Sequence, residues 1–309
     1  MTDIVTAFAP ATVGNVGVGF DILGHTVEAI GDRVRIARSR EPGVRITAIT
    51  GTSEALPLEA ERNTAGRALL AMVEAHRLDF GMDVSIEKGI PLGSGLGGSA
   101  ASAVAAVVAG NALLATPLSK LELLKFAMQG EAVASGSVHV DNIAPSLFGG
   151  LVLTVGIDNP RTKQIPVPAT VRCVLVHPHM FLSTKEARRI LSDQVSLSDV
   201  IWQCANLAGF ISGCYTDDLA MLRDAFADVV IEPQRQALIP GFADVQRAAM
   251  SHGAIGCSIS GAGPTVFAWC EEGAAVAIRD AMVAAFAAHG LDSDRWISQI
   301  GQDGARVLP

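Results

Sequence analysis

The sequence predicts an α+β fold. Its early β-rich stretches follow one another mostly without crossover helices, and its second half alternates strands with helices in a pattern that suits one covered sheet. A glycine-rich loop in the first half leads directly into an alanine-rich helix. No repeat or low-complexity linker is visible, and composition shifts only around Pro160, Pro166 and Pro168. We therefore predict two domains, residues 1–160 and 161–309.

The individual elements follow in chain order from β-rich runs and from capped helical runs. The first half should form strands at 4–9, 34–37, 44–49, 84–87 and 151–155, and helices at 63–77, 99–115 and 119–136, with Asn63 as the N-cap of the first helix. The second half should form strands at 171–177, 254–260, 265–270 and 295–300, and helices at 184–191, 199–227, 241–252 and 273–289.

Composition excludes several classes of protein. The chain of 309 residues is 50% hydrophobic, which is enough for a large core. A net charge of −8 without a cluster of Lys or Arg argues against a nucleic-acid surface. Five cysteines without a C-x-x-C pair suggest neither a disulfide framework nor a zinc site. With no basic and apolar leader and no bilayer-length apolar run, we expect a cytoplasmic protein without a membrane partner.

The most informative segment is GIPLGSGLGG, residues 89–98, in which five of ten residues are glycine. The first turn of a helix leaves N–H groups without partners at the positive end of the helix dipole. Glycines let such N–H groups converge on an anion, because no Cβ intervenes and positive φ is accessible. The segment therefore predicts a phosphate-binding loop. Ser99, which follows it, either caps the helix or offers its hydroxyl to a metal.

Two standard nucleotide loops fit this segment poorly. A P-loop needs Lys where Ser99 stands. The spacing also matches G-x-G-x-x-G, but the next segment, 118–129, has helical spacing and is not a strand that ends in an acidic residue. A dinucleotide site therefore stays open only as a minor alternative.

Four polar side chains outside the loop are candidates for ligand binding. Asn15 and Asp21 lie in a glycine-rich turn and either bind a ligand amine or hydroxyl or satisfy their own turn. Arg188 and Arg235 either clamp a carboxylate or form exposed salt bridges. A second glycine turn, 256–265, is either a plain hairpin or backbone packed on the ligand loop.

A further group lies in GEAVASGSVHVDNIAPSLFGG, residues 130–150. Glu131 is a candidate magnesium ligand, because Mg²⁺ takes one or two carboxylates together with phosphates and water. Asp141 either accepts a proton from a substrate hydroxyl, or orients it, or is simply a helix N-cap. His139 and Asn142 stand beside it.

Three ordered segments, APATVGNVGVGFDILG, PLGSGLGGSAAS and ISGAGPTVFA, together resemble the signature motifs of the GHMP kinase superfamily over essentially the whole chain. HVDNIAPSLFGG, STKEARRIL and EPQRQALIPGF are most similar to the branch of that superfamily that acts on L-homoserine. The resemblance implies transfer of the γ-phosphoryl group of ATP to the side-chain hydroxyl of L-homoserine, on the route to threonine. It also implies an N-terminal phosphate-binding domain and a ferredoxin-like C-terminal domain.

The resemblance also implies roles for individual residues. The ATP phosphates would be held by Pro91, Leu92, Gly93, Ser94, Gly95, Leu96, Gly97, Gly98 and Ser99. Mg²⁺ would be held by Ser99 and Glu131. The substrate would be surrounded by Asn15, Asp21, His139, Asp141, Thr184, Arg188 and Arg235, with Asp21 on its ammonium and the two arginines on its carboxylate. The catalytic group would be Asp141, Glu131 and Asn142.

One residue departs from the superfamily pattern, whose loop usually reads GLGSSAA. Gly98 replaces the first serine of that motif, a lost hydroxyl contact of about 0.5–1.5 kcal/mol that leaves the backbone donors in place. Alternative acceptors are mevalonate and shikimate, although neither has as much use for Asp21 beside two arginines. A catalytically silent nucleotide-binding regulator is a further alternative, and the predicted partners include a second copy of the chain.

Overall fold

The computed structural model describes residues 3–135, 139–301 and 303–309. The strands are β1 (Ile4–Gly14), β2 (Leu23–Ser39), β3 (Gly43–Thr50), β4 (Gly81–Glu87), β5 (Leu151–Val155), β6 (Arg161–Ile165), β7 (Val171–Pro178), β8 (Gly256–Ile259), β9 (Val266–Glu271), β10 (Ser293–Gln299) and β11 (Arg306–Val307). The helices are α1 (Thr64–His76), α2 (Gly98–Asn111), α3 (Lys120–Ser135), α4 (Val140–Phe148), α5 (Thr184–Arg189), α6 (Leu197–Thr216), α7 (Leu219–Asp224), α8 (Glu232–Arg235), α9 (Phe242–Ser251) and α10 (Ala275–Ala288).

The first sheet has the strand order β11-β1-β2-β4-β3, with β5 and β6 added beside β2. Strand β2 joins the two parts of this sheet, because its first residues pair with β5 and its last residues pair with β4. Within the described residues, β3 and β4 form the one parallel pair of this sheet. The predicted α+β class, with its largely antiparallel sheet, is confirmed.

Helix α2 lies at the centre of the first core. Every residue from Ala100 to Gly110 except Val108 is buried. This burial on all sides agrees with a helix that has no polar face to turn toward water. Its sequence of Ala, Gly and Val lets β1, β2, α1, α3 and α4 all pack close around it. This packing fixes the start of α2 rigidly beneath the glycine-rich loop.

The second sheet has the strand order β10-β7-β9-β8 and is antiparallel throughout. Its side chains alternate between two cores, as the period of a strand requires. Val174 and Ala268 face α9 and α10, while Leu175 and Trp269 face the core of the first sheet. The sheet with helices on one face agrees with the predicted ferredoxin-like arrangement. Of the helices in the described part of the chain, none is long and apolar enough to cross a bilayer.

Several predicted boundaries shift. Asn63 caps α1 as predicted, because its Oδ1 accepts the N–H of Ala65 at 3.0 Å and of Gly66 at 3.2 Å. The predicted helix 199–227 is wrong as a single element: it is divided into α6 and α7 at Asp217, which adopts a left-handed φ of 54°. The predicted helix 119–136 is observed as α3, and position 136 lies outside the described residues.

Helix α8 and the strands β6 and β11 were not predicted, and helix α4 was implied only by the alternative in which Asp141 is a helix N-cap. Strand β6 pairs with β5, and β11 pairs with β1, so both extend the first sheet. The first sheet therefore includes residues on both sides of position 160 and near the end of the sequence. The division into 1–160 and 161–309 stays a prediction.

Candidate active site

The glycine-rich loop forms a cradle at the N-terminus of α2. Gly93, Gly95 and Gly97 have φ of 63°, 77° and 69°, a region that other residues rarely adopt. Gly97 is the N-cap of α2 and makes no side-chain capping bond. Helix α2 begins at Gly98, so Ser99 lies inside its first turn and does not cap it. The backbone N–H groups of this turn are thus left for an anion.

The second glycine turn packs directly on this loop. Ser260 Oγ donates a hydrogen bond to the Gly95 carbonyl at 2.8 Å, and the Thr265 N–H donates to the Ser94 carbonyl at 3.2 Å. A Cβ on Gly95 would come within 2.4 Å of the Ser260 carbonyl oxygen. The turn connects the antiparallel strands β8 and β9, so it is both a hairpin and a packing partner of the loop.

Ser99 and Glu131 meet on one side of the cradle. Ser99 Oγ donates to Glu131 Oε1 at 2.9 Å, and His139 Nδ1 lies 3.7 Å from the same oxygen. The other carboxylate oxygen, Glu131 Oε2, is buried and has no hydrogen-bond partner in the described structure. A buried carboxylate oxygen without a donor, next to a hydroxyl and a phosphate cradle, fits a site for Mg²⁺.

His139 is held close to several carboxylates. Burial by itself lowers the pKa of His139, but the close contact with Glu131 and the negative charges of Asp141, Glu131 and Asp21 outweigh burial and raise the pKa above its usual value. The imidazole therefore carries positive charge over a wider pH range than a free histidine does. It partly offsets the charge of the three acids.

Asp141 lies in the first turn of α4, one residue after Val140, and the N-cap of that helix is His139. Asp141 is therefore not the helix N-cap. Asn142 Nδ2 donates to Asp141 Oδ2 at 3.2 Å, while Asp141 Oδ1 is buried without a partner among the described residues. Burial, assisted by the charge of Asp21, raises the pKa of Asp141 to about 6.

Asn142 is held in turn by β1. Its Oδ1 accepts a hydrogen bond from Thr12 Oγ1 at 2.9 Å, and both residues are buried. This contact fixes the amide so that its Nδ2 points to Asp141. Asn142 therefore orients the Asp141 carboxyl.

The cavity is also lined by the charged pair Asp21 and Arg188. The Arg188 guanidinium donates to both Asp21 oxygens, at 2.8 Å and 2.9 Å. Asp21 itself adopts a φ of 62°, and its N–H donates to Asn15 Oδ1 at 3.0 Å. The resemblance to the GHMP kinases implies that these two charges bind the ammonium and the carboxylate of one ligand, and in the structure they are paired with each other.

Arg235 is buried beside this pair. Its Nε donates to the Ala187 carbonyl at 3.1 Å and its Nη1 to the Gly261 carbonyl at 3.0 Å. Burial, assisted by the nearby charge of Arg188, lowers the pKa of Arg235 to about 10. The group remains cationic at neutral pH, so two positive charges face the same part of the cavity.

Phe20 is the residue that sequence reasoning missed. Its ring lies 4.9 Å from the Arg188 guanidinium carbon and 5.0 Å from that of Arg235. Such distances allow cation–π attraction to both arginines. The only sequence signal was its position directly before Asp21 in a glycine-rich turn.

The structure brings the predicted residues together with a single exception. One cavity is lined by Asn15, Asp21, Pro91, Leu92, Gly93, Ser94, Gly95, Gly97, Gly98, Ser99, Glu131, His139, Asp141, Asn142, Thr184, Arg188 and Arg235, and also by Phe20, Gly261 and Ala262. Leu96 does not line it, because its side chain is fully buried in the first core. The prediction that Leu96 helps to hold the ATP phosphates stays a prediction.

Comparisons with known proteins agree with this architecture. Residues 63–150 match the family described as GHMP kinases N terminal domain, and residues 210–288 match GHMP kinases C terminal. The matches include the glycine-rich loop, Ser99, Glu131 and Asp141. The chain belongs to the GHMP kinases.

Relatives that match nearly the whole chain identify the branch of the GHMP kinases. A homoserine kinase from Xanthomonas campestris pv. campestris is 51% identical over 303 residues, which cover 98% of this chain and 93% of that protein. A homoserine kinase from Chlorobium phaeobacteroides is 43% identical, with 98% of this chain and 99% of that protein covered. The crystal structure of homoserine kinase from Cytophaga hutchinsonii has a TM-score of 0.97 and 44% identity, and covers 100% of this chain and 98% of that one. Within the GHMP kinases, the chain belongs to the homoserine kinases.

Proposed function

We propose that this chain transfers the γ-phosphoryl group of ATP to the side-chain hydroxyl of L-homoserine, giving O-phospho-L-homoserine for threonine biosynthesis. The observation that carries the proposal is the layout of one cavity. The same cavity is lined by an uncapped helix N-terminus and by a carboxylate paired with a guanidinium. The helix N-terminus suits a phosphate chain, and the charged pair suits a zwitterionic amino acid.

The part of the cavity assigned to ATP is formed mainly by backbone groups. The N–H groups of the loop and of the first turn of α2 would bind the phosphate oxygens, helped by the positive end of the helix dipole. Ser99 and Glu131 would hold Mg²⁺, and the buried unpartnered Glu131 Oε2 supports this assignment. The metal ion would neutralise negative charge on the phosphates.

The part of the cavity assigned to the amino acid has charges of both signs, as a zwitterion requires. Asp21 would take the substrate ammonium, and Arg188 with Arg235 would take its carboxylate. Because Asp21 and Arg188 form a bidentate pair, a ligand that engages one of them must compensate the other. A substrate that carries both charges compensates both, whereas an acceptor with only a carboxylate leaves Asp21 without a cationic partner.

Asp141 would handle the acceptor hydroxyl. With its pKa raised to about 6, the carboxyl is mostly ionised at neutral pH and is still a useful proton acceptor. The hydroxyl oxygen forms the bond to the γ-phosphorus as the bond to the bridging oxygen of ADP breaks, and the hydroxyl proton passes to Asp141. His139 and Thr184 line the same cavity and would orient the substrate.

The direct test is ADP release from MgATP with L-homoserine, mevalonate, shikimate or no acceptor, with the product identified by mass. Two further acceptors separate the charges: 4-hydroxybutyrate lacks the ammonium, and 3-amino-1-propanol lacks the carboxylate. We expect saturable turnover on L-homoserine and a kcat/KM at least about 100-fold lower for every other acceptor. Equal turnover on 4-hydroxybutyrate would remove Asp21 from substrate recognition, and absence of turnover on all acceptors would favour a silent nucleotide binder.

Location and assembly are proposed on narrower grounds. All five cysteines are free thiols, which suits the reducing cytoplasm. A homodimer remains a prediction from the sequence. Light scattering on the purified protein at several concentrations measures the oligomeric state directly.

A further inference from the structure

A buried ion pair lies behind the phosphate loop, outside the cavity. Lys88 Nζ contacts Asp32 Oδ2, and the two side chains are 4% and 0% exposed. Neither residue lines the cavity described above. Asp32 comes from β2, and Lys88 directly follows β4 at the entrance to the loop.

Asp32 holds the start of the loop. Its Oδ1 accepts hydrogen bonds from the N–H groups of Gly89 at 3.0 Å and Ile90 at 3.2 Å. Its Oδ2 accepts from Ser102 Oγ at 2.6 Å, in addition to Lys88 Nζ. One fully buried carboxylate therefore connects the first residues of the loop to helix α2.

Lys88 holds the end of the loop. Its Nζ donates to the carbonyl of Gly98 at 2.8 Å and to Ser102 Oγ at 2.9 Å. Gly98 is the first residue of α2, and Ser102 lies one turn further along. Together, Asp32 and Lys88 contact both ends of the ten-residue segment 89–98, whereas the contacts to its middle come from the second glycine turn.

Stability alone is a poor explanation for this pair. Desolvation of two buried charges commonly offsets their attraction, and an apolar pair of similar volume is often as stable or more so. A lysine ammonium beside the first turn of a helix is also opposed by the helix dipole. The pair is better explained by the distance it fixes between two backbone segments.

That distance matters because the loop is rich in glycine. Glycine loses more conformational freedom on ordering than any other residue, so a loose loop would oppose phosphate binding entropically. A loop already held at both ends has less freedom left to lose when the ligand binds.

We propose that Asp32 and Lys88 are positioning residues that hold the two ends of the phosphate loop at a fixed separation and thereby set nucleotide affinity without contacting the nucleotide. The proposal rests on the proposed function only in that the loop binds the phosphates of a nucleotide. It does not depend on which alcohol is phosphorylated.

The test uses the full chain and MgADP as the probe. The variants are Lys88→Met, Asp32→Asn and the double variant D32N/K88M, each measured by calorimetric titration with MgADP, by KM for L-homoserine and by thermal unfolding. The asparagine side chain of D32N retains an acceptor for the loop N–H groups, whereas the methionine side chain of K88M has no donor for the Gly98 carbonyl. The matched control is Val245→Ala, which creates a cavity in the second core, whereas the loop residues Ile90 and Leu96 are buried in the first core.

We expect K88M and the double variant to weaken MgADP binding at least about tenfold, with the KM for L-homoserine changed by less than about twofold. We expect the double variant to unfold at a higher temperature than either single variant, because it leaves no buried charge unpaired. Val245→Ala should lower the unfolding temperature and leave MgADP affinity unchanged.

Two results would overturn the proposal. One is wild-type MgADP affinity in the double variant. The other is loss of affinity in Val245→Ala that matches the loss in the double variant at equal destabilisation. If the charge variants do not fold, Ser102→Ala removes a single hydroxyl of the network, and unchanged MgADP affinity in that variant would also overturn it.

The outcome for the wild-type chain separates this proposal from the proposed function. A wild-type chain that binds MgADP without phosphorylating L-homoserine removes the proposed function and leaves the loop experiment intact. A wild-type chain that does not bind MgADP overturns both.

Discussion

Replacing Asp141 by asparagine should make the folded protein more stable while slowing the reaction. The carboxyl is buried, its Oδ1 has no donor in the described structure, and burial raises its pKa from 3.8 to about 6. At neutral pH the folded protein must therefore hold an ionised carboxylate in an environment that favours the neutral acid. Asparagine has nearly the same shape and carries no charge.

The size of the effect follows from the pKa shift. A rise of about 2 pKa units at 1.36 kcal/mol per unit corresponds to about 3 kcal/mol of lost stability once Asp141 is ionised. An unfolding entropy of about 2.1 cal/mol/K per residue gives about 0.65 kcal/mol/K for 309 residues. The unfolding temperature of D141N should therefore exceed that of the wild type by about 4–5 °C near pH 8.

The direction of the pKa shift also fixes how the stability of the wild type changes with pH. Because the folded-state pKa is raised, the protonated acid stabilises the fold fully below pH 3.8, and this contribution is lost as pH rises through about 6. The stability gap between D141N and wild type should be near zero below pH 4, widen between pH 4 and pH 6, and stay constant above pH 7.

The assay combines urea unfolding of the ligand-free proteins across that pH range with kinetics. We expect kcat to fall by about 100-fold or more and the Kd for MgADP to stay unchanged. Asp244→Asn is the matched control, because hydrogen bonds from His289 and Arg247 lower the pKa of that surface carboxyl, so its pH trend has the opposite sign. A constant stability gap between D141N and wild type from pH 4 to pH 8 would refute the reasoning, and an unchanged kcat would remove Asp141 from the mechanism.

Three further outcomes are expected. Phe20→Leu should raise the KM for L-homoserine by about 5- to 30-fold with little change in the KM for MgATP, because two cation–π contacts of about 0.5–1 kcal/mol each are lost. Equal effects on the KM values of both substrates would contradict this prediction. Gly98→Ser should fold and remain active, with a free energy of unfolding within about 0.5 kcal/mol of wild type by urea unfolding. The φ of Gly98 is not positive, and a Cβ there would approach Ile90 no closer than 3.3 Å. Loss of activity would show that glycine is required at position 98. Trp269→Phe should lower the free energy of unfolding in urea at pH 7 by about 1–2 kcal/mol, because Trp269 Nε1 donates a hydrogen bond to buried His25 Nε2 at 3.1 Å. An unchanged free energy of unfolding would mean that this hydrogen bond contributes nothing to stability.

The fold class and the phosphate loop could be predicted because their signals are local. Glycine spacing marks the loop, and Asn63 marks the start of α1 by its capping side chain. Helix α4 was implied only by the N-cap alternative for Asp141, because Pro145 lies inside the helix and every residue from Val140 to Leu147 is buried, so neither helix propensity nor an apolar stripe was visible. Strand β2 was predicted too short because Gly31 and Asp32 interrupt its middle, next to residues 28–30 of β2, which are skipped where its pairing with β1 shifts register.

The chemistry of the candidate site could be predicted only in part. Residue types pointed to Asp21 and Arg188, but a pairing across 167 residues cannot be read from spacing. Phe20 was missed for the same reason, since its two arginine partners come from distant segments. Lys88 and Asp32 look like ordinary surface charges in the sequence, and only their burial shows otherwise.

Strand β11 gives the first sheet an unusual dependence on sequence order. Ala7 pairs with Val307 and Phe8 pairs with Arg306, so the outer edge of a sheet begun by the first residues is completed some 300 residues later. Closing a loop of that length is slow, because its ends meet rarely in an unfolded chain. During synthesis on the ribosome, strand β1 would therefore wait with one edge uncovered until about 300 further residues had been synthesised. That interval is when this kinase would be most exposed to edge-to-edge aggregation.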